Sequence, residues 1–269
     1  MPGPRLHRAA VASRPGSELT LPVALDASQV RAILLDIEGT TTPVDFVYRT
    51  LFPYAREKFE DFLQRHREDP AIREDLEWLR KQYRADEAQG LDLSPWRGDT
   101  PDLVLASAAA YGRWLIDRDS KVFALKRIQG KIWEEGYRSG ELRGEVYPDV
   151  APAFARWSQQ GKIIAIYSSG SILAQKLLFS TTTAGDLTSF LREYFDTGTG
   201  AKAETQSYGK ITAALGVPAQ EIIFLSDVAR ELDAAKQAGM LVLLCVRPGA
   251  PEAKSDAHPV IHSFDEILP

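Results

Sequence analysis

The stretch Arg31-Ala-Ile-Leu-Leu-Asp-Ile-Glu-Gly-Thr-Thr-Thr42 joins an apolar run to a polar turn. The run ends on Asp36, a pattern typical of a strand that is buried on both faces of a parallel sheet. Because residues two positions apart in a strand point to the same side, Asp36 and Glu38 face one pocket if the extended geometry continues. The alternative is a strand followed by a solvated polar turn. This stretch alone does not separate the two interpretations.

Three further apolar runs resemble the first: Lys162–Ser168, Glu221–Asp227 and Met240–Val246. Helical stretches lie between the runs, and two of them, Pro152–Gly161 and Val228–Gly239, end in a glycine just before a strand. This alternation predicts an α/β fold with a doubly wound parallel sheet. Since the carboxyl ends of parallel strands gather along one edge, we expect Asp36, Ser168 and Asp227 to lie near one another.

Residues 50–142 lack strand-type apolar runs and show helical periodicity instead. Thr100 followed by Pro101 predicts an N-cap and the first position of a helix. A further helix is predicted over residues 121–137. One predicted helical face is formed by Ala55, Phe59, Phe62 and Leu63.

The helical region is too long for a loop, so we interpret residues 50–142 as a helical cap domain. The catalytic core then consists of residues 29–49 and 143–269. Residues 1–28 show neither helical nor strand periodicity and are predicted to be a mobile N-terminal tail.

Composition excludes several classes of protein. The 269 residues include 32 basic and 37 acidic side chains, a net charge of -5, so no basic excess indicates a nucleic-acid partner. The single cysteine, Cys245, forms no internal disulfide and fits a reducing compartment. No apolar run reaches the ~18 to 20 residues that cross a bilayer. We therefore expect a cytoplasmic protein without a membrane partner, and a monomer.

Four polar side chains are candidates for phosphate or metal chemistry. Ser168 and Ser169 precede a helix, where hydroxyl and N–H groups suit a phosphate, although such a serine often serves only as an N-cap. Lys202 follows flexible glycines and is a candidate cation for an anionic oxygen, unless it is solvated. Asp227 ends a very apolar strand, where an ionised carboxylate needs a metal or a cation.

The chain order of these residues resembles the four-motif pattern of the haloacid dehalogenase superfamily, from about Arg31 to the C-terminus. Most phosphatases of that superfamily have Asp where this chain has Glu38, and the string Leu-Leu-Asp-Ile-Glu-Gly-Thr-Thr-Thr-Pro43 resembles the enolase-phosphatase family of methionine salvage. Further strings agree with that family: Tyr167-Ser-Ser-Gly-Ser171, Ala174-Gln-Lys-Leu-Leu-Phe179, Gln129-Gly-Lys-Ile-Trp133 and Phe224-Leu-Ser-Asp-Val-Ala-Arg-Glu231.

The resemblance implies a Rossmannoid core with an inserted helical cap, and a small-molecule phosphate substrate. The implied reaction converts 2,3-diketo-5-methylthiopentyl-1-phosphate, through an aspartyl-phosphate, to the acireductone 1,2-dihydroxy-3-keto-5-methylthiopentene and phosphate. The implied roles are catalysis by Asp36, Glu38 and Lys202, substrate binding by Ser168, Ser169 and Lys202, and one Mg²⁺ per subunit at Asp36, Glu38 and Asp227. Whether the third magnesium ligand is the side chain or the backbone carbonyl of Glu38 stays open.

Two other functions remain as alternatives. One is a generic small-molecule phosphatase of the same superfamily, which a substrate panel would distinguish. The other is a phospho-accepting signalling module such as a receiver domain, which lacks a large helical insert after the acceptor strand. Gln129, Lys131, Trp96 and Trp114 are conceivable cap contacts, but they are not assigned to the site.

Overall fold

The computed structural model describes residues 28–249 and 257–269, so the predicted tail over residues 1–28 lies outside it except for Ser28. The strands are β1 (Ala32–Leu35), β2 (Ile163–Tyr167), β3 (Leu191–Phe195), β4 (Ile222–Ser226), β5 (Leu241–Cys245) and β6 (Val260–Ile261). They form one sheet in the order β3-β2-β1-β4-β5-β6, and every pairing is parallel. The predicted doubly wound α/β fold is confirmed.

Strand β1 lies at the centre of the sheet, between β2 and β4, and its four residues are fully buried. Ile33 and Leu35 pack into the hydrophobic cluster on one face of the sheet. Ala32 and Leu34 pack into the cluster on the other face. Because successive side chains of a strand point to opposite faces, a strand between two helical layers must be apolar at every position.

Two strands were not predicted, and both lie at the edges of the sheet. Strand β3 has the sequence Leu-Arg-Glu-Tyr-Phe, with Arg192 and Glu193 exposed, and β6 has only two residues. An edge strand has one neighbour and tolerates charged side chains. The uninterrupted apolar pattern that marks the central strands is therefore missing from both.

The helices are α1 (Val44–Phe46), α2 (Phe52–Arg65), α3 (Pro70–Ala88), α4 (Pro101–Ile116), α5 (Phe123–Ser139), α6 (Val150–Gln159), α7 (Ile172–Ser180), α8 (Thr205–Leu215) and α9 (Ala229–Gln237). Val47–Leu51 is a π-helical segment that joins α1 directly to α2. The predicted cap at Thr100 is confirmed, since its Oγ1 accepts the N–H of Leu103 at 3.3 Å. The helix expected over residues 121–137 is α5 and begins two residues later.

Helices α2, α3, α4 and α5 pack around a hydrophobic cluster of their own. The predicted face of α2 is buried in it: Ala55, Phe59, Phe62 and Leu63. Helix α5 also packs against α7, which follows β2 of the sheet. In the described ranges, no helix is long and apolar enough to cross a membrane.

Candidate active site

Asp36 is the first residue after β1, and its buried carboxylate lies at the carboxyl edge of the sheet. Its Oδ1 accepts the N–H of Ile37 at 2.7 Å and lies 2.7 Å from Lys202 Nζ. The loop that carries Lys202 follows β3, the strand missed by sequence analysis. The topology therefore brings two predicted residues, 166 positions apart in the sequence, into direct contact.

Lys202 bridges two carboxylates. Its Nζ lies 2.7 Å from Asp36 Oδ1 and 2.7 Å from Glu231 Oε2, and its side chain is only 11% exposed. Burial alone would lower the pKa of Lys202, but the charges of Asp36 and Glu231 outweigh burial and raise its pKa above the ordinary value. The lysine is therefore a fixed ammonium, not a solvated surface group.

The hydroxyl of Ser226 completes this arrangement. Its Oγ lies 3.1 Å from Asp36 Oδ2 and 3.1 Å from Glu231 Oε2, and it donates to one of them at a time. Burial and the charge of Asp36 raise the pKa of Glu231, although Lys202 opposes that shift. Asp36, Lys202, Ser226 and Glu231 thus form one buried network, which we call the Asp36 network.

The turn after Asp36 is held by hydrogen bonds within the turn itself and by hydrogen bonds from Arg247. Gly39 has a φ of 70°, a conformation that glycine adopts without strain. Thr41 Oγ1 donates to the carbonyl of Asp36 at 3.2 Å. From the other side, Arg247 Nε donates to the carbonyl of Thr40 at 2.8 Å, and Arg247 Nη1 pairs with Asp149 at 2.6 Å.

Asp227 follows β4 and lies against this turn. A Cβ atom on Gly39 would approach Asp227 Oδ2 to 2.2 Å, so only glycine leaves room for that carboxylate. Desolvation and the negative charge of Asp36 raise the pKa of Asp227 to about 7. Asp36 and Asp227 therefore act on each other as like charges at one edge of the sheet, as their positions in the sequence predicted.

Ser168 and Ser169 follow β2, and both line a cavity of about 550 Å³. The N-cap of α7 is Ser171, whose Oγ accepts the N–H of Ala174 at 3.2 Å. Ser168 Oγ accepts the N–H of Gly170 at 3.2 Å. The simple N-cap interpretation of Ser168 is therefore wrong. Its hydroxyl donates to no residue in the ranges that the structure describes, so the proton is available to an acceptor in the cavity.

Glu38 lines the same cavity, together with side chains of α5. Asp36, Lys202 and Asp227 do not line it. Burial and the charge of Asp36 raise the pKa of Glu38 above its ordinary value, with Lys202 opposing the shift. Glu38 is thus electrostatically coupled to the Asp36 network and also faces the cavity.

This combination of sheet edge, paired carboxylates and lysine agrees with the comparisons with known proteins. The haloacid dehalogenase-like hydrolase family matches residues 30–239. Enolase-phosphatase E1 of Synechococcus elongatus is 50% identical over 238 residues, covering 88% of this chain and 98% of its own. Enolase-phosphatase E1 of Pectobacterium carotovorum is 43% identical, covering 88% and 96%.

The chain belongs to the enolase-phosphatase family of haloacid dehalogenase-like hydrolases.

Solved structures agree with this membership. The UTR4 protein of Saccharomyces cerevisiae is 34% identical, covers 88% of this chain and 99% of its own, and superposes with a TM-score of 0.68. CbbY of Rhodobacter sphaeroides is 16% identical, covers 89% of this chain and 96% of its own, and superposes with a TM-score of 0.54. The second likeness concerns the fold alone.

The predicted metal ligands are not a preformed cluster of side chains in this haloacid dehalogenase-like hydrolase. Among residues 28–249 and 257–269, no three His, Cys, Asp or Glu side chains converge as metal ligands. Asp36 and Asp227 nevertheless fit a hard divalent cation, because they are two oxygen donors whose mutual repulsion a cation would cancel. Such a site would be completed by a backbone carbonyl, water or substrate oxygen.

Three residues of the site in this family member were not found by sequence analysis: Ser226, Glu231 and Arg247. Glu231 ends the string Phe224–Glu231, which resembles the enolase-phosphatase family, but the sequence does not indicate that its side chain contacts a buried lysine. Ser226 is the last residue of an otherwise apolar strand, and nothing in the sequence indicates which groups its hydroxyl contacts. The role of Arg247 depends on contacts with Thr40, 207 residues away. Only the tertiary structure reveals these three contacts.

Proposed function

We propose that the protein catalyses the enolase-phosphatase reaction of L-methionine salvage. In this reaction 2,3-diketo-5-methylthiopentyl-1-phosphate is enolised and then dephosphorylated to the acireductone 1,2-dihydroxy-3-keto-5-methylthiopentene. The observation that supports it most strongly is a buried Asp36–Lys202 pair next to a second carboxylate, Glu38, which faces a cavity of about 550 Å³. The carboxylate of Asp36 suits phosphoryl transfer, and the carboxylate of Glu38 suits proton transfer.

Asp36 is proposed as the nucleophile. Its carboxylate oxygen attacks phosphorus, the bond from phosphorus to the enol oxygen breaks, and the enol leaves as the electron pair moves to that oxygen. Water then attacks the aspartyl-phosphate, which releases inorganic phosphate and restores the carboxylate. Two displacements replace one difficult displacement.

Positioning supplies much of the rate in phosphoryl transfer. Lys202 is fixed by Asp36 and Glu231, so its ammonium is already placed beside the nucleophile to bind the phosphoryl oxygens. The hydroxyl proton of Ser168 is free to donate to another phosphoryl oxygen, and Ser169 helps to place the substrate. These roles remain proposals for the residues that sequence analysis identified.

One Mg²⁺ per subunit is proposed at Asp36 and Asp227, with Glu38 providing its carbonyl or side chain. When bound, the ion neutralises phosphoryl oxygens and orients the phosphate for in-line attack. The protein keeps the two carboxylates close to each other, and the missing side chain at Gly39 leaves space for Asp227.

Magnesium affinity is expected to depend on pH. Because the pKa of Asp227 is raised to about 7, a proton competes with the cation below that pH. The affinity should therefore fall as the pH falls, with a dissociation constant about tenfold larger at pH 6 than at pH 8. Isothermal titration calorimetry of the metal-free protein with MgCl₂ measures this. Equal dissociation constants at the two pH values would contradict the assignment, and Asp227→Asn should lose most of the pH dependence.

Glu38 is proposed as the acid or base of the enolisation step. A carboxyl group with a raised pKa holds and releases protons closer to neutral pH than an ordinary one. Its pKa is raised by burial and by Asp36, and its side chain faces the cavity. Its position therefore suits transfer of a proton at a substrate carbon next to a carbonyl.

Glu38→Asp should separate the two chemical steps. The shorter side chain keeps the charge but moves the carboxylate away from the substrate carbon, so acireductone formation should fall by roughly 100-fold. Aryl phosphates, which need no enolisation, should still be cleaved. Acireductone absorbance and phosphate release are measured in parallel. Equal losses in both assays would argue against a special role in enolisation. The matched control is Glu193→Asp, at an exposed position of β3.

The helical region is proposed to be a cap that covers the site and excludes water. Its boundaries are those expected from the sequence: residues 50–142, inserted between core segments 29–49 and 143–269. The cluster shared by α2 to α5 supports a separate packing unit. A cytoplasmic location and a monomeric state are proposed as well, and light scattering tests the latter.

The proposed function is tested by incubating the protein with the diketone phosphate, with Mg²⁺ present or withheld. We expect stoichiometric phosphate and acireductone, both dependent on the metal. Comparable turnover of many sugar phosphates without preference for the diketone would favour the generic phosphatase. Stable phosphorylation of Asp36 without turnover would favour the signalling module.

A further inference from the structure

Three buried polar side chains that line the cavity have no hydrogen-bond partner in the described part of the chain: Gln129, Thr42 and Tyr137. Gln129 of α5 lines the cavity and is only 4% exposed. Its amide makes no hydrogen bond to any residue within the described part of the chain. Much of the surrounding wall is apolar, with Phe46, Phe52, Trp133 and Leu173. A largely buried amide is usually hydrogen-bonded in proteins, so the partner of this amide comes from the cavity, as water or as a ligand.

A second buried glutamine is partly satisfied by the fold. Gln175 is 1% exposed, and its Nε2 donates to the carbonyls of Gly170 and Phe195 at 2.8 Å each, whereas its Oε1 has no hydrogen-bond partner in the described part of the chain. The fold therefore holds the orientation of this amide through its nitrogen. The amide of Gln129 is not held by any such bond within the described residues, although it is almost as deeply buried and lies on a regular helix.

The next residue, Gly130, leaves empty space beside this amide. A Cβ atom on Gly130 would meet no atom within 4 Å, and the residue lines the cavity. Other glycines of the cap helices have a packing reason: a Cβ on Gly112 would approach Phe59 to 2.4 Å, and one on Gly136 would approach Tyr54 to 2.7 Å. Glycine weakens a helix relative to alanine, so Gly130 costs stability without improving the packing.

The charges on the same wall indicate which ligand group fits. Lys131 and Arg127 line the cavity, but both are paired with the fully buried carboxylate of Asp75, with Lys131 Nζ at 2.7 Å from Asp75 Oδ2. Lys126 is exposed to solvent. The buried groups that are available are thus neutral, namely the amide of Gln129 and the hydroxyls of Thr42 and Tyr137. Neutral groups suit a carbonyl or hydroxyl oxygen better than a second phosphate, and of the three only Gln129 lies on the same turn of α5 as Gly130.

We propose that Gln129 binds a carbonyl oxygen of the substrate carbon chain, and that Gly130 leaves the room in which that chain lies. The proposal rests on the proposed function and deepens it, because it names the group that recognises the keto part of the substrate. Phosphate is bound by the core, and the ketone is bound by the cap. Specificity for a keto phosphate over an alkyl phosphate then arises largely from α5.

The test compares phosphates that differ in one carbonyl group: hexyl phosphate, 2-oxohexyl phosphate and 3-oxohexyl phosphate. For each protein, the ratio of kcat/KM for a keto phosphate to kcat/KM for hexyl phosphate is measured. A carbonyl also changes the leaving group, but that effect is the same in every variant and cancels when ratios are compared. Gln129→Leu should lower the ratio for at least one keto phosphate by about tenfold, the effect of one lost hydrogen bond.

Gly130→Ala is the second variant and does not depend on removing a polar group. It should raise the melting temperature, because alanine favours the helix, and raise KM for the keto phosphates, because the methyl group enters the cavity. Gly209→Ala is the matched control: Gly209 lies within α8, does not line the cavity, and its Cβ would also meet nothing within 4 Å. It should be stabilised without any change in kinetics.

The proposal is overturned if Gln129→Leu leaves both ratios unchanged, or if Gly130→Ala binds the keto phosphates as well as the wild type does. These results are distinct from failure of the proposed function. If the wild type releases no acireductone from the diketone phosphate while the ratios still fall in Gln129→Leu, the proposed reaction is wrong and the carbonyl site stands.

Discussion

Asp36→Asn is expected to lower phosphate release by at least about 1,000-fold, because an amide oxygen is a poor nucleophile and catalytic groups that act as a unit fail together. The change removes one charge and no volume. The amide oxygen can still accept from Lys202 and from the N–H of Ile37, the contacts that Oδ1 now makes. The fold and the binding of substrate should therefore survive. Single-turnover phosphate release and calorimetric substrate binding measure the two effects separately.

Asp45→Asn is the matched control, since Asp45 is an exposed aspartate of α1 that pairs with Arg49 at 3.4 Å. Asp45 makes no contact with the Asp36 network, so the variant should release phosphate at the wild-type rate. A second check is chemical: the wild type, quenched in acid during turnover, should carry phosphate on Asp36. Retained turnover in Asp36→Asn would eliminate the nucleophile role.

Lys202→Met should lower kcat/KM for phosphate release by about 100- to 1,000-fold, the usual effect of removing one preorganised charge from a developing anion. It should also destabilise the protein, because Asp36 and Glu231 are then left as buried like charges without their shared ammonium. Phosphate release and thermal unfolding at neutral pH are the measurements. Methionine keeps the length of the stem, so little packing is lost.

The double variant Lys202→Met/Glu231→Gln separates the two effects. It removes one of the two stranded carboxylates, so the melting temperature should recover while phosphate release stays low. Lys210→Met is the control, since Lys210 is an exposed lysine of α8 whose Nζ donates to the carbonyl of Thr199 at 2.8 Å. Recovery of both stability and activity would show that Lys202 has only a structural role.

Sequence patterns predicted what depends on periodicity and strand direction. Apolar runs that end on Asp36, Ser168 and Asp227 indicate central parallel strands, and parallel strands bring those three residues to one edge. The same reasoning fails for β3, whose charged residues are tolerated only because it lies at the edge. Pattern analysis recognises strands by their burial, so partly exposed strands are missed.

Pairings between side chains could not be predicted from the sequence, for a different reason. Nothing in a single chain shows that Lys202 contacts Glu231, that Ser226 lies between two carboxylates, or that Arg247 holds the turn after Asp36. Gln129 was named as a conceivable contact but was not assigned, because its burial, and the absence of a hydrogen-bond partner among the described residues, are properties of the folded chain. Residue type is visible in a sequence, whereas an unmet hydrogen bond is not.

The π-helical segment Val47–Leu51 has a mechanical consequence. The segment is continuous with α1 and α2, so residues 44–65 form one uninterrupted helical stretch with no loop between the sheet and α2. Single-turn π segments inside α-helices are rare and frequently lie at functional sites. Val47, Tyr48 and Leu51 of this segment also line the cavity. We therefore expect a change in the bend of this helical segment to change the volume of the cavity directly.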